Sequence, residues 1–404
     1  MSTKSLWAAV VACVAAFGIA ACGSSNDNGG STGGSASGSG LNPPKLPVQQ
    51  SVGQGEGQLN IIAWAGYAED GSTDPKVDWV TPFEKQTGCQ TNVKIGNTSD
   101  EMVTLMRTGR YDGVSASGDA TLRLIAGGDV APVNTSLVPN YASIWTGLKD
   151  KPWNSVKGQM YGIPHGYGAN LLMSGTKAKG VGDSWSAVFD PTQLAQNKGH
   201  VTSYDSPIYI ADAAVYLKAH QPDLKITNPY ELDDKQFQAV VNLLKTQRKY
   251  IGEYWADYTK EQAAFANGNS TVGTTWQVIA NLLEADKVKV KTVLPTEGST
   301  GWSDTWMIAA KAKHPNCMYK WMNWITSPKV QAQVAEWFGE APANRAACSH
   351  TAAKDHCKIF HEGDEPYFSK VSFWTTPIKS CGDNRGDKCA DYSQWVQAWT
   401  DIKG

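Results

Sequence analysis

No run of Lys or Arg occurs in this chain, and its 36 basic and 38 acidic residues leave a formal net charge of −2. That excludes the basic face by which proteins grip nucleic acid. Past the N-terminus there is no apolar run long enough to span a bilayer, so no membrane-spanning helix is expected in the body of the chain. No internal repeat is visible, which argues against a stacked-repeat architecture. No nucleophile, base and orienting group come together either. Gly113-Val114-Ser115-Ala116-Ser117 comes near a nucleophile elbow, but Ser117 stands where that motif needs its last glycine. A Gly/Ser loop at a strand end, which lets a ligand approach the backbone, accounts for it better. His165 reads as cleft lining rather than a base. Neither an enzyme nor a cofactor is expected.

What is present begins with Cys22. One cation, Lys4, precedes a short apolar stretch from Leu6 to Ala21 that ends in Ile19-Ala20-Ala21-Cys22. The stretch is too short for a bilayer and suits a signal-peptide core. Small residues before a cysteine at that point resemble a bacterial lipobox, in which the cysteine becomes an acylated N-terminus. The plainer alternative is an ordinary secretory signal with a chance cysteine. On the lipobox reading, residues 1–21 are the signal peptide. The body is then extracytoplasmic and anchored to the cell membrane through Cys22. Residues 22–58, rich in Gly and Ser and then in Pro, read as a flexible tether, about 30 residues of it spanning roughly 30 Å.

Of the 8 cysteines, Cys13 leaves with the signal and Cys22 carries lipid, so an even number remains. In an exported protein that points to disulfides. Cys348 with Cys357 and Cys381 with Cys389 are close enough to staple local loops, which leaves Cys89 and Cys317 to pair across a long stretch. A rival is a zinc site from Cys348, His350, His356, Cys357 and His361, but its spacing matches no standard structural pattern, and no metal is expected. Asp383 to Asp387 lacks the length and the closing Glu of a calcium loop.

After the tether, strand and helix signals alternate. Leu59 to Trp64 is a short apolar run bounded by Gly66 and reads as a buried strand. A helix follows, with Pro82 in its first turn and Gly88 closing it. Thr91 to Ile95 alternates like a strand, and Thr98-Ser99-Asp100-Glu101 is a capping box opening a helix. Tyr111 to Val114 reads as a strand and Thr121 to Ala126 as a helix. Later, Ile208 to His220 and Asp234 to Gln247 read as helices, and Thr271 to Thr275 and Val290 to Leu294 as strands. Pro315 to Thr326 and Pro328 to Phe338 are helices begun by proline, the second ended by Gly339. Trp321 and Trp324, three apart, read as a core stripe. This alternation predicts α/β architecture with a mostly parallel sheet, and about 350 residues after the tether suggest two lobes.

Aromatics are in surplus, with 16 Trp and 15 Tyr, which suits a core or a site that stacks on a ligand. Several segments carry a resemblance. Trp64-Ala65-Gly66-Tyr67 follows the first strand. Phe83 to Gly88, Tyr111 to Asp119, Tyr161-Gly162-Ile163-Pro164, Glu297 to Asp304 and a closing helix near Trp395 come after it in order. Together they resemble the spermidine/putrescine-binding proteins of ATP-driven (ABC) importers. Asp205 to Asp212, Thr98 to Met102 and the cysteine positions resemble a putrescine-importer subgroup.

The resemblance implies the two-lobed periplasmic-binding-protein fold of type II, with ligand clamped between lobes. Lobe one would hold residues 59–164 and 304–345, and lobe two 165–303 and 346–404. Crossings would lie near Pro164 to Tyr167, Asp304 and Pro342. A Cys89–Cys317 bridge would then fall within lobe one. The implied function is capture of a polyamine such as putrescine or spermidine by a monomer that delivers it to a permease and its ATPase. Another small solute, an amino acid or a sugar, is the alternative, with a secreted hydrolase behind it. A polyamine wants aromatic walls for its methylenes and carboxylates for its ammonium groups. Trp64, Tyr67, Trp276 and Trp302 match aromatic cleft positions of the family, and Asp304 matches the carboxylate that receives an ammonium group. Ser117 and Tyr209 complete the expected ligand-binding set with two acids, Asp119 and Glu340. Those acids stand where the family has Tyr. The chain departs from the pattern further: Gly66 replaces an acid, Ser206 and Tyr209 replace an acidic pair beside Asp205, and Thr375 replaces a Gln.

Overall fold

The computed structural model describes residues 41–404. The signal segment, Cys22 and the tether up to residue 40 lie outside the described residues. The strands are, in chain order, β1 (Gln58–Ala63), β2 (Gln90–Ile95), β3 (Gly113–Ala116), β4 (Ser155–Val156), β5 (Gln159–Met160), β6 (Ile163–Ala169) and β7 (Leu171–Gly175), then β8 (Val201–Tyr204), β9 (Ile251–Trp255), β10 (Val272–Thr275), β11 (Val290–Val293), β12 (Ser299–Ile308), β13 (Ala341–Pro342) and β14 (Val371–Phe373). Lobe one is built on a sheet ordered β13-β6-β12-β3-β1-β2, with β14 also on β12. Lobe two is built on a sheet ordered β11-β7-β10-β8-β9.

Local chemistry explains the elements. In β1, Leu59, Ile61, Ile62 and Ala63 are fully buried, an apolar run interrupted only by the half-buried Asn60 and typical of a strand covered on both faces. Helix Val80–Thr87 ends because Gly88 takes a left-handed φ of 73°, and its Phe83 packs edge-on against the fully buried Trp321, 5.2 Å away. Trp324, three residues on, is half-buried, and its indole donates to the Trp79 carbonyl at 2.9 Å. The capping box at Thr98 is half made. Its hydroxyl accepts from the Glu101 amide at 3.1 Å, while Glu101 takes the Asn97 amide at 2.9 Å instead of closing on Thr98. Helix Asp234–Gln247 has a complete capping box on Asp233, and the helices at Pro315 and Pro328 begin on proline as read.

The expectation of a mostly parallel sheet does not hold. β1 lies parallel to β2 and β3, and β8 parallel to β9 and β10. Yet β12 is antiparallel to β3 and β6, β13 to β6, and β7 to β10 and β11. The reason is β6 and β12. The chain leaves lobe one along β6 and returns along β12, so the two lie side by side in opposite directions. The segments read as crossings lie on these strands, with Pro164 to Tyr167 on β6, Asp304 on β12 and Pro342 on β13.

Cys89 is bonded to Cys317, Cys348 to Cys357 and Cys381 to Cys389. The alternative zinc site loses both its thiolates to one of these bonds. Two sequence boundaries need correction. Residues 41–57 are not free coil. Glu56 accepts the amides of Asn316 and Cys317 at 3.0 Å each, where helix Pro315–Ile325 begins with unpaired donors. Gln49 and Gly53 bond Asn316 as well, so this stretch is laid along lobe one. Nor does all of 346–404 join lobe two. Phe368 and Val371 pack with Trp145, Tyr167 and Ala341 beside the crossing strands. The last helix, Tyr392–Lys403, enters the lobe-two core through Trp395, Trp399 and Ile402, and Trp374 and Ala390 ahead of it join the same core.

Candidate functional site

Strand ends of both lobes converge on one cavity of about 240 Å³. In lobe one it is lined by Trp64 after β1, Asn97 after β2 and Ser117 after β3; in lobe two by Tyr204 ending β8, Asp257 after β9 and Trp276 after β10. These are the carboxyl ends of parallel strands, where side chains leave the ladder and a sheet has room for a ligand. Trp302 and Asp304 enter from β12, two apart on one face of the strand. Phe338 and Trp374 close the sides.

The walls are aromatic. Trp374 stacks on Tyr204 with 11° between planes and centroids 5.7 Å apart. Trp276 stands 5.3 Å from Tyr204 and 6.5 Å from Trp302, which in turn meets Phe338 at 5.9 Å. The indole Nε1 groups of Trp64 and Trp302 are buried without a hydrogen-bond partner among the described residues. No Lys, Arg or His lines the cavity among the described residues; its charged groups are Asp304, buried, and Asp257, exposed at the mouth.

Asp304 sits opposite an irregularity in the β6–β12 ladder. Ser303 pairs Tyr167 and Thr305 pairs Pro164, so His165 and Gly166 together face Asp304. Such a bulge re-aims side chains. Ser117 Oγ donates to Asp304 Oδ1, and the Tyr67 hydroxyl lies 2.8 Å from Oδ2. That hydroxyl is also 2.7 Å from Oε2 of Glu340, which is fully buried. A tyrosine has one hydroxyl proton, so it donates to one carboxyl and accepts from the other. The cluster therefore holds a second proton, on a carboxyl group. Burial pushes Glu340 well above the usual carboxylate range and Asp304 up to about 7, the latter against the bonds from Ser117 and Tyr67. Glu340 thus keeps the proton, Tyr67 donates to Asp304, and one negative charge is left at the cavity floor. His165 does not offset it. Burial drives its pKa down to about 3, and its Nε2 is 3.7 Å from Glu340.

Glu340 fits because position 166 is glycine. A Cβ there would lie 2.0 Å from the Glu340 carboxyl carbon. Among the residues anticipated from sequence, Trp64, Ser117, Trp276, Trp302 and Asp304 therefore meet at the cavity. Tyr67 lies one layer behind Asp304, and Glu340 behind Tyr67. Asp119 does not reach the cavity. It is buried at the start of helix Gly118–Ala126, accepts from Ser99 Oγ at 2.8 Å, and is raised to about 6 by burial. Tyr209 also lies elsewhere, inside the lobe-two core, where its hydroxyl bonds Ser203 and Gln247 and its ring stacks on Phe189. Asp205 is taken by Lys403 at 2.6 Å and by the Trp399 indole at 3.0 Å.

Sequence reading missed Tyr204, Asp257, Phe338 and Trp374. Asp257 had a signal, since it caps helix Tyr258–Ala266 directly after the aromatic strand β9. Trp374 had none, because it lies in irregular chain after β14.

The family of bacterial extracellular solute-binding proteins matches residues 78–360. A putrescine/cadaverine-binding protein of Pseudomonas aeruginosa is 26% identical over 306 residues, which cover 72% of this chain and 80% of that protein. Among solved structures, the spermidine/putrescine ABC transporter substrate-binding protein of Streptococcus pneumoniae superposes with a TM-score of 0.65 at 17% identity, over 85% of this chain and 97% of the other. A periplasmic binding protein of A. tumefaciens in complex with glucopine superposes at 0.64 and 14% identity, over 86% of this chain and all of that one. The superpositions establish the two-lobed fold. Neighbours that differ this much in ligand leave the solute to be argued from the cavity.

Proposed function

We propose that this chain, which belongs to the family of bacterial extracellular solute-binding proteins, captures an aliphatic polyamine of the putrescine type and hands it to an ABC permease and its ATPase. It does so as a monomer tethered to the membrane through an acylated Cys22. The observation that carries the ligand class is Asp304, a buried carboxylate on the floor of an aromatic cavity that no cationic side chain among the described residues lines. The faces of Trp64, Trp276 and Trp302 suit methylenes and cations alike. Asp304 takes one ammonium group, and Asp257 stands at the mouth for the other. An amino acid or other anion fits less well, because its carboxylate would need an Arg or Lys that the lining lacks. The relatives named for putrescine, cadaverine and spermidine support the same class.

A thermal-shift screen of the soluble body tests it, followed by calorimetric titration. Putrescine, cadaverine or spermidine should raise the melting temperature, since a ligand bound only by the folded state stabilises it. Glucose, glutamate and γ-aminobutyrate should not. Binding of a neutral or anionic solute with none of the amines would overturn the ligand class and leave the importer role standing.

A further inference from the structure

Away from the cavity floor, Asp212 is, like Asp119 and Glu261, a buried carboxylate without an ion-pair partner among the described residues, and it alone of the three bonds a chain that leads to the cavity walls. Asp212 is 1% exposed, in helix Ile210–His220 of lobe two. Its Oδ1 accepts the Thr300 hydroxyl at 2.8 Å. Thr300 lies on β12, and that bond uses its one proton. The Thr300 oxygen is then left as an acceptor. It receives Asn170 Nδ2 at 2.6 Å and the Trp374 indole at 3.3 Å. Asn170, between β6 and β7, offers its Oδ1 to the Trp276 indole at 3.0 Å. An indole only donates, so this contact fixes which way the Asn170 amide points.

Trp276 and Trp374 are two walls of the cavity. Both indole N–H groups end, through Thr300 and Asn170, on one carboxylate. If Thr300 donated elsewhere, a lone pair serving those N–H groups would be lost and buried donors would go unpaired, which is costly. We propose that Asp212 is a positioning residue: by fixing the direction of the Thr300 hydroxyl it sets the orientation of Trp276 and Trp374, and with it the shape offered to the ligand. The effect on binding rests on the cation-binding reading given above; the effect on the indoles does not.

The full chain labelled with 15N-tryptophan tests this without a ligand. Single Trp276→Phe and Trp374→Phe variants assign the two indole N–H resonances. Asp212→Leu should move both, while those of Trp306 and Trp321 in lobe one stay in place. Asp212→Asn retains an oxygen acceptor for Thr300 and should restore them. In a Thr300→Val background, where only the 3.5 Å contact of Asn170 Nδ2 with Asp212 Oδ1 remains, Asp212→Leu should add little further shift. Where Asp212→Leu does not fold, Asp212→Ala gives the same readout. Putrescine affinity should fall about tenfold in Asp212→Leu and stay near wild type in Asp212→Asn. Unmoved Trp276 and Trp374 resonances in Asp212→Leu or Asp212→Ala would overturn the assignment, as would failure of Asp212→Asn to restore them. Absence of putrescine binding in wild type would overturn the cation reading instead, with the resonances still deciding the role of Asp212.

Discussion

Capture of a cation at Asp304 should release a proton in mildly acidic solution. The Asp304 carboxyl titrates at about 7 in the empty folded protein because burial penalises its charge. An ammonium group binds the ionised form, so bound ligand pulls that pKa down. Apparent affinity is then reduced by the fraction of protein still protonated. Below pH 7 this costs about tenfold per unit, so binding at pH 5 should be roughly a hundredfold weaker than at pH 8. Aliphatic ammonium groups themselves titrate near 10 and stay charged throughout. The groups facing Asp304 are Tyr67, Ser117 and, across the β6–β12 ladder, His165, which burial keeps neutral, with Asp119 raising it as a like charge and Glu340 beyond Tyr67. Asp304 and Glu340 titrate as a pair, so the measured midpoint belongs to the cluster.

Calorimetric titration of putrescine at pH 5.5 in buffers of different ionisation enthalpy should show about one proton released per ligand, falling to none at pH 8. Asp304→Asn should abolish the proton release. Stability of the empty protein should move the other way. The folded pKa of Asp304 lies above the ordinary aspartate value of 3.8, so its stabilising contribution is complete below that value and is lost as pH rises through about 7. The melting temperature without ligand should therefore fall across this window while the shift produced by putrescine grows. Affinity that is flat from pH 5 to 8, with no proton release, would refute the shared-proton account of Asp304, Tyr67 and Glu340.

Asp304→Asn at pH 8 should weaken putrescine binding by about 2–5 kcal/mol, the range for breaking a desolvated charge pair, and Trp302→Ala should weaken it without unfolding the chain; calorimetry reads both. Gly166→Ala drives a methyl group into the Glu340 carboxyl and should cost about 1–3 kcal/mol of stability by denaturant titration, whereas Glu340→Gln, which can still donate to Tyr67, should be tolerated. Cys22→Ala should move the protein from the membrane fraction to a soluble or unprocessed form, and mass spectrometry of an unmodified N-terminus elsewhere in the wild type would defeat the anchor. Peptide mapping without reduction should recover Cys89–Cys317, Cys348–Cys357 and Cys381–Cys389.

What could be read from sequence was what short-range chemistry decides. β1 is a run of apolar residues closed by Gly66, and the helices at Pro315 and Pro328 begin where a missing N–H does no harm. Residues two apart on an extended strand share a face, so Trp302 and Asp304 could be placed together before their strand was seen. Pairing direction was not legible, because β6 and β12 run antiparallel only as a consequence of the chain crossing between lobes twice. The docking of residues 41–57 was hidden for a similar reason. A Gly- and Pro-rich stretch looks like free coil until Glu56 is set against a helix start 260 residues away.

Glu340 shows where local reading ends. The family resemblance read from sequence set it where a Tyr is expected, and an acid near a cationic ligand suggests a second contact. The fold puts it behind Tyr67, with Gly166 supplying the space. There a charged Glu340 would set two carboxylates on one hydroxyl in a buried site, which is far costlier than one carboxylate and one acid. The same side chain therefore acts as a hydrogen-bond donor. It leaves Asp304 as the one carboxylate buried at the cavity lining among the described residues, and that is why a chain with an extra acid at its site is expected to bind through the single charge of Asp304 there.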